Sequence, residues 1–289
     1  MKVLITGKGG QLAWELENTS GIEHQLSVLS RNELDISDAY AVKNIMVLYQ
    51  PDVVINAAAF TAVDKAETEQ DQAFAVNDIG AKNIANVCKD QHIRLLHVST
   101  DFVFDGTKTT PYQTDDAANP LGVYGASKLA GDLGVMQILP NSVIVRTAWV
   151  YSQHGNNFVK TMLRLMAEKP QLGIVYDQVG TPTWAAGLAK WLWAVAEKPD
   201  VSGVFHWTDA GVASWYDFAV AIQELGIEKG LLTSAIPISA IPASQYPTPA
   251  ERPSFSVIDK TSAELAAGVK TVHWRKQLSS MMDGLKHDD

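Results

Sequence analysis

The chain has 289 residues, 46% hydrophobic and 19% charged, an ordinary globular composition with room for one large α/β domain and a smaller lobe. Lys and Arg number 23 against 32 Asp and Glu, a formal charge of −9, so a nucleic-acid partner, which would need cations to neutralise phosphates, is not expected. The single cysteine, Cys88, excludes an internal disulfide and any multi-cysteine metal cluster. No apolar run approaches the roughly 18 residues of a membrane span or forms a signal peptide, so a cytoplasmic protein with no membrane partner is expected.

Short apolar runs alternate with helical stretches through the first half. Val3-Leu4-Ile5 reads as a buried strand and Gln11 to Asn18 as helix, followed by a second strand at Gln25–Leu29. Asp38 to Tyr49 is helical and stops ahead of Pro51. Asp52 to Ala57 is a third strand, Gln70 to Asp90 one long helix, Leu95 to Ser99 a fourth strand and Ser142 to Thr147 a fifth. Strands that are apolar throughout and separated by helices imply a parallel sheet covered on both faces. The predicted fold is α/β, a Rossmann-like doubly wound parallel sheet with a smaller C-terminal substrate-binding lobe. The dinucleotide-binding domain is placed at 1–149, with segments near 174–212 returning to it, and the lobe mainly at 150–289. Prolines crowd 237–253, and Trp184, Trp191, Trp193, Trp207 and Trp215 are read as lobe core.

Gly7-Lys8-Gly9-Gly10-Gln11-Leu12-Ala13 follows the first strand and opens the first helix. Gly7 suits a turn with positive φ, Gly10 lets backbone approach a pyrophosphate, and the helix N-terminus supplies free amides. The second strand ends Leu29-Ser30-Arg31. Enzymes that use NAD place a carboxylate there for the ribose hydroxyls; Ser30 and Arg31 would instead donate to a 2′-phosphate. NADPH is therefore the expected cofactor, with NADH open, and Asp35-Ile36 is placed against the adenine. A solvated loop charge is the plainer reading of Arg31.

Tyr124 and Lys128 stand at i and i+4, neighbours on one helix face. A neutral phenol is a poor acid at pH 7, but an adjacent ammonium and an oxidised nicotinamide stabilise its phenolate, so it can protonate a carbonyl oxygen. The preceding strand ends Val98-Ser99-Thr100-Asp101, delivering a hydroxyl to the carboxyl edge of the sheet, where ligands of such folds bind. His97 reads as a core histidine and Cys88 as a buried helix residue. No metal-ligand spacing or hydrolase elbow is present, and no metal is expected.

These residues resemble the extended short-chain dehydrogenase/reductases and, within them, the dTDP-4-dehydrorhamnose reductase family. The resemblance runs nearly end to end. It includes the Asn56–Glu67 run, Ser99–Gly106, Pro120–Lys128, Arg146–Tyr151, Gly155–Phe158, Asp177–Thr183 and Arg252-Pro253. It implies a cofactor site at Gly7, Gly10, Gln11, Leu12, Asp35, Ile36, Ala57, Ala58, Ala59 and Val98. It further implies Tyr124 as proton donor, Lys128 on the ribose and Thr100 tuning the phenol. Substrate contacts fall at Thr61, Val63, Thr100, Asp101, Trp149 and Arg252. The implied reaction reduces dTDP-4-dehydro-L-rhamnose to dTDP-L-rhamnose for cell-surface polysaccharide.

Two departures stand out. Phe102 replaces the tyrosine that commonly follows Ser-Thr-Asp. Of the glutamates that bridge some family dimers through a metal, Glu15 remains, while Ala186 and Gly284 occupy the aligned positions; a monomer or weak homodimer is expected. A 4,6-dehydratase would need the glutamate that Phe102 displaces. A 4-epimerase is the other enzymatic rival, and a non-catalytic regulatory subunit would not need Thr100, Tyr124 and Lys128.

Overall fold

The computed structural model describes residues 1–285. Its centre is a six-stranded, wholly parallel sheet: β1 Lys2–Thr6, β2 Gln25–Leu29, β3 Val53–Asn56, β4 Arg94–Thr100, β5 Val143–Thr147 and β6 Gly203–His206, in the order β6-β5-β4-β3-β1-β2. Alternate residues of each strand feed opposite cores, as the two-residue period of a strand requires. Val3, Ile5, Val53, Ile55, Leu96, Val143 and Val145 face α1 (Gln11–Thr19) and the Trp191 helix Ala185–Ala196. Leu4, Val54, Leu95 and Ile144 face α2 (Ala39–Tyr49), α3 (Ala81–Asp90) and α4 (Val123–Ile138). The doubly wound reading of the sequence is what the chain adopts.

Local chemistry sets the boundaries. The Asp38 carboxylate caps α2, accepting from the amides of Tyr40 and Ala41 at 2.8 and 3.1 Å, and α2 ends at a left-handed Gln50 just before Pro51. The stretch read as one helix from Gln70 to Asp90 is broken: Gln70–Phe74 runs into a π-turn at Ala75–Gly80 before α3. Trp191, Trp193 and Trp207 belong to the sheet's core rather than to the lobe, because Ala185–Ala196 lies against α1 and β6 extends the sheet beside β5. Trp184 and Trp215 do pack in the lobe. The lobe core is gathered by the helices Phe158–Glu168, Trp215–Glu228 and Trp274–Gly284, with a parallel strand pair, Leu172–Val175 and Ile238–Ile241, at its side. No helix among the described residues is long and apolar enough to cross a membrane.

Candidate active site

A cleft of about 720 Å³ opens at the carboxyl edge of the sheet, where the connections leaving the paired strands β1 and β3 run toward opposite edges, the switch point at which such folds take ligands. Gly7 turns the chain there with φ +87°, and a Cβ on it would stand 2.9 Å from the Ala57 carbonyl, so only glycine fits. Gly10 precedes α1, which carries no side-chain cap. The first amides of a helix have no intrahelical partner, so the ends of Gln11, Leu12 and Ala13 face the cleft as free donors. Ala57, Ala58 and Ala59 form the opposite lip; the Ala58 amide is fixed by donating to Thr6 Oγ1 at 3.2 Å.

At one end, Arg31, Asp35 and Ile36 line the cleft, but Ser30 does not. The Ser30 hydroxyl and amide both donate to Glu33, at 2.7 and 2.8 Å, and these bonds hold the Glu33 carboxyl below its ordinary range. Arg31 is largely exposed, with Asp35 at 3.9 Å and the Gln72 amide within 3.1 Å. At the other end stand Val98, Thr100, Asp101, Phe102, Tyr124, Lys128 and Trp149, with Thr61 and Val63 along the rim. Arg252 lies outside: it makes a two-pronged ion pair with Asp64 at 2.9 and 3.0 Å, pinning the 248–252 loop to the start of the Val63–Ala66 turn.

The Tyr124 end is set by close backbone packing. Gly125 lets α4 press onto the turn after β4, since a Cβ there would stand 2.1 Å from the Phe102 carbonyl. The Phe102 ring meets Tyr124 edge-on at 5.5 Å. Burial pushes the Tyr124 phenol up to about 12, the Thr100 hydroxyl pulls it down, and Asp101 and Asp132 add to the rise. Thr100 itself donates to Asp101 Oδ1 at 3.1 Å and accepts from the Phe102 amide at 3.2 Å. Burial likewise lifts Asp101 to about 6. Lys128 is 2% exposed and donates to the Val98 carbonyl at 2.7 Å; burial draws its ammonium down to about 8 against the attraction of Asp132.

Three groups at the site have no site role in the sequence reading, which has Trp215 as lobe core and Arg146 only within a matching segment. Asn77, delivered by the π-turn, ties the lip to α4: its Oδ1 accepts from the Phe60 amide at 2.9 Å and its Nδ2 donates to Ser127 Oγ at 3.0 Å. Asp132 and Arg146 form a buried ion pair at 3.3 Å behind Lys128. Trp215 stacks on Trp149 at 3.6 Å with the rings 8° from parallel. Asp132 was recoverable as the i+4 neighbour of Lys128; Asn77 and Trp215 carry no local signal. Glu15 is buried and accepts from Ser152 and Trp184 at 2.7 and 2.9 Å, and burial raises its carboxyl. The Cys88 thiol is buried and pushed up to about 12.

The family described as RmlD substrate binding domain matches residues 1–287. The chain belongs to it. A dTDP-4-dehydrorhamnose reductase of Aggregatibacter actinomycetemcomitans is 39% identical over 97% of this chain and 98% of its own length. The crystal structure of the Clostridium acetobutylicum dTDP-4-dehydrorhamnose reductase superposes with a TM-score of 0.93 at 39% identity, covering 99% of this chain and 100% of that one. The Bacillus anthracis reductase, solved in complex with NADP, gives 0.92 at 31% identity, covering 98% and 99%.

Proposed function

We propose that this chain reduces the 4-keto group of dTDP-4-dehydro-L-rhamnose with NADPH to give dTDP-L-rhamnose for cell-surface polysaccharide. The observation that carries this reading is one cleft holding an uncapped glycine turn at one side and the Thr100, Tyr124 and Lys128 side chains at the other. The reductases named above lend it the substrate and the Bacillus enzyme the cofactor. The residues present fit a dinucleotide: Gly7 to Leu12 for the pyrophosphate, Asp35, Ile36 and Arg31 at the adenosine end, Ala57–Ala59 and Val98 along its length. When bound, the reduced nicotinamide supplies the hydride. Tyr124 gives the carbonyl oxygen its proton, which at neutral pH it holds fully because its pKa is high. Thr100 offsets part of that rise; Lys128, expected from the sequence to ease the phenol's ionisation, does not act on Tyr124 here, and its ammonium is left to hold the ribose. Asp101, Thr100, Trp149, Thr61 and Val63 bound the space left for the sugar.

The reading places the enzyme in the cytoplasm, where nucleotide-linked sugars are made, as a monomer or weak homodimer without a catalytic metal. The enclosed Glu15 supports this, since its carboxylate already accepts two hydrogen bonds and hard cations demand about six oxygen ligands. The test is to add dTDP-4-dehydrorhamnose and NADPH and follow loss of the reduced-nicotinamide absorbance, with and without EDTA, alongside light scattering. Turnover unaffected by EDTA and a mass that rises only with concentration are expected. No turnover of the keto sugar would refute the reaction; loss in EDTA restored by Mg²⁺ would refute the metal-free claim.

A further inference from the structure

One carboxylate beneath the cleft is used by none of these steps. Asp132 lies one helical turn beyond Lys128 on α4 and is fully buried. Burial raises its carboxyl while Lys128, Arg146 and Ser99 pull it back down, since an ionised carboxylate there is costly unless neighbours hold it. Its Oδ2 accepts from Ser99 Oγ at 2.8 Å and from Arg146 Nε at 3.3 Å. Its Oδ1 has no hydrogen-bond partner among the described residues and faces His97 Nε2 at 3.7 Å. Asn56 Nδ2 donates to His97 Nδ1 at 3.0 Å, so the ring proton of the neutral imidazole sits on Nε2, toward the carboxylate. Asn56 is oriented in turn by the Thr6 hydroxyl, which donates to its Oδ1 at 2.7 Å. Thr6, Asn56 and His97 are register partners across β1, β3 and β4, so one row of polar side chains runs from beside the phosphate turn to the helix of Tyr124.

We propose that Asp132 is a positioning residue of the reaction: one helical turn from Lys128 and anchored to Ser99 beside the Val98 carbonyl that Lys128 binds, its carboxylate is the fixed counter-charge of the buried Lys128 ammonium. This rests on the reading of Tyr124 and Lys128 as the catalytic pair. The charged and titratable groups facing the cluster are His97 on β4, Arg146 on β5, Asp101 after β4, and Tyr124 and Lys128 on α4. Asp132 raises the pKa of both members of the pair. Neutralising it therefore lowers both: the ammonium loses its counter-charge, and the phenolate loses a neighbour that repels it. Reduction needs both protons in place, so the alkaline limb of the kcat profile must move to lower pH. A residue that only fills the core would lower stability and leave that limb alone.

The test is Asp132→Asn, which keeps shape and removes charge. In the variant, kcat measured from about pH 6 to 10 should show the alkaline limb displaced acidward by about one unit or more, the scale of a nearby buried charge. Ile144→Val, which loosens the core on the same sheet face, should lower Tm and leave the limb in place. A folded Asp132→Asn variant whose limb superposes on the parent's overturns the proposal. Should that variant not fold, Asp132→Asn combined with Arg146→Gln removes the other buried charge with it; the lost cation acts the opposite way from the lost carboxylate, so the limb should still move acidward but by less, and an unmoved limb overturns the proposal. Absence of turnover in the parent would instead sink the assigned reaction. NADPH binding, followed by tryptophan fluorescence against pH, then reads the proposal independently. It should lose its Lys128-dependent part at lower pH in the variant, and an unchanged binding profile overturns the proposal.

Discussion

The two sides of the cleft are built on opposite plans. The sheet side comes from short stretches of sequence on regular elements: the turn at 7–13, the lip at 57–59 and the pair at 124 and 128. Its side chains are held by buried hydrogen bonds, from Thr6 through Asn56 to His97 and from Ser99 to Asp132. The lobe side is assembled from distant residues, with Trp149 backed by Trp215 and lying over Gly180. There the backbone is strained: Trp149 has φ +47°, left-handed geometry worth about 1–3 kcal/mol in a non-glycine residue. The side assigned to chemistry is thus fixed by polar bonds, and the side assigned to substrate choice by aromatic packing. Substitutions should act accordingly, on rate or charge on the first side and on affinity on the second.

The largest expected effect is on the sheet side. Tyr124→Phe keeps the ring against Phe102 and removes only the transferable proton, so kcat should fall by about 10²–10⁴-fold with NADPH affinity kept; near-normal turnover in a folded variant would remove Tyr124 from the mechanism. Next comes Arg31→Ala. A charge-assisted hydrogen bond to the 2′-phosphate is worth roughly 1.5–3 kcal/mol, so the preference for NADPH over NADH should drop about tenfold or more. Equal losses for both cofactors would leave Arg31 a surface charge, in keeping with its exposed position beside Asp35.

On the lobe side, Trp215→Ala strips the ring that stacks on Trp149. An aromatic pair contributes about 0.5–1.5 kcal/mol beyond its buried area, so KM for the sugar nucleotide should rise several-fold with kcat little changed. A drop in kcat at constant KM would break the division drawn above. The smallest effect is on stability against pH. Asp209 accepts from the Trp184 amide at 3.0 Å, and burial lifts its carboxyl to about 7. A raised carboxyl contributes stability that is complete below its unfolded value near 3.8 and lost as pH climbs through 7. Asp209→Asn should therefore lose its disadvantage against the parent between about pH 4 and 7, as read by thermal melts. A constant difference across that window would mean the carboxyl does not titrate there.

The same contrast decides what could be read before folding. Five of the six sheet strands announce themselves as apolar runs, β1, β3, β4 and β5 because both of their faces are buried and the edge strand β2 by its buried Val28 and Leu29, and the order of turn, strand end and Tyr-Lys pair is local in sequence. β6 escaped because Gly203–His206 is short and sits in a segment rich in tryptophan, whose rings serve the sheet rather than the lobe. Ser30 and Arg252, expected as cofactor and substrate contacts, stand off the cleft lining with partners of their own: Glu33 accepts from both donors of Ser30, and Asp64, 188 residues away, holds Arg252, a pairing no local pattern reveals. Asp132 is marked in the sequence by its i+4 spacing from Lys128, while its burial shows only in the fold.

The π-turn at Ala75–Gly80 has a consequence for chain length. Such a turn carries one residue more than the α-helix around it, so the helical segments before and after it are out of phase by one position. Asn77 sits within that turn and reaches both Phe60 and Ser127. The insertion therefore acts as a spacer. Relatives whose helix is one residue shorter here would keep a smoother rod and shift the strut that Asn77 makes between Phe60 and Ser127, so a one-residue gap in an alignment at this point would mark a mechanical difference rather than neutral drift.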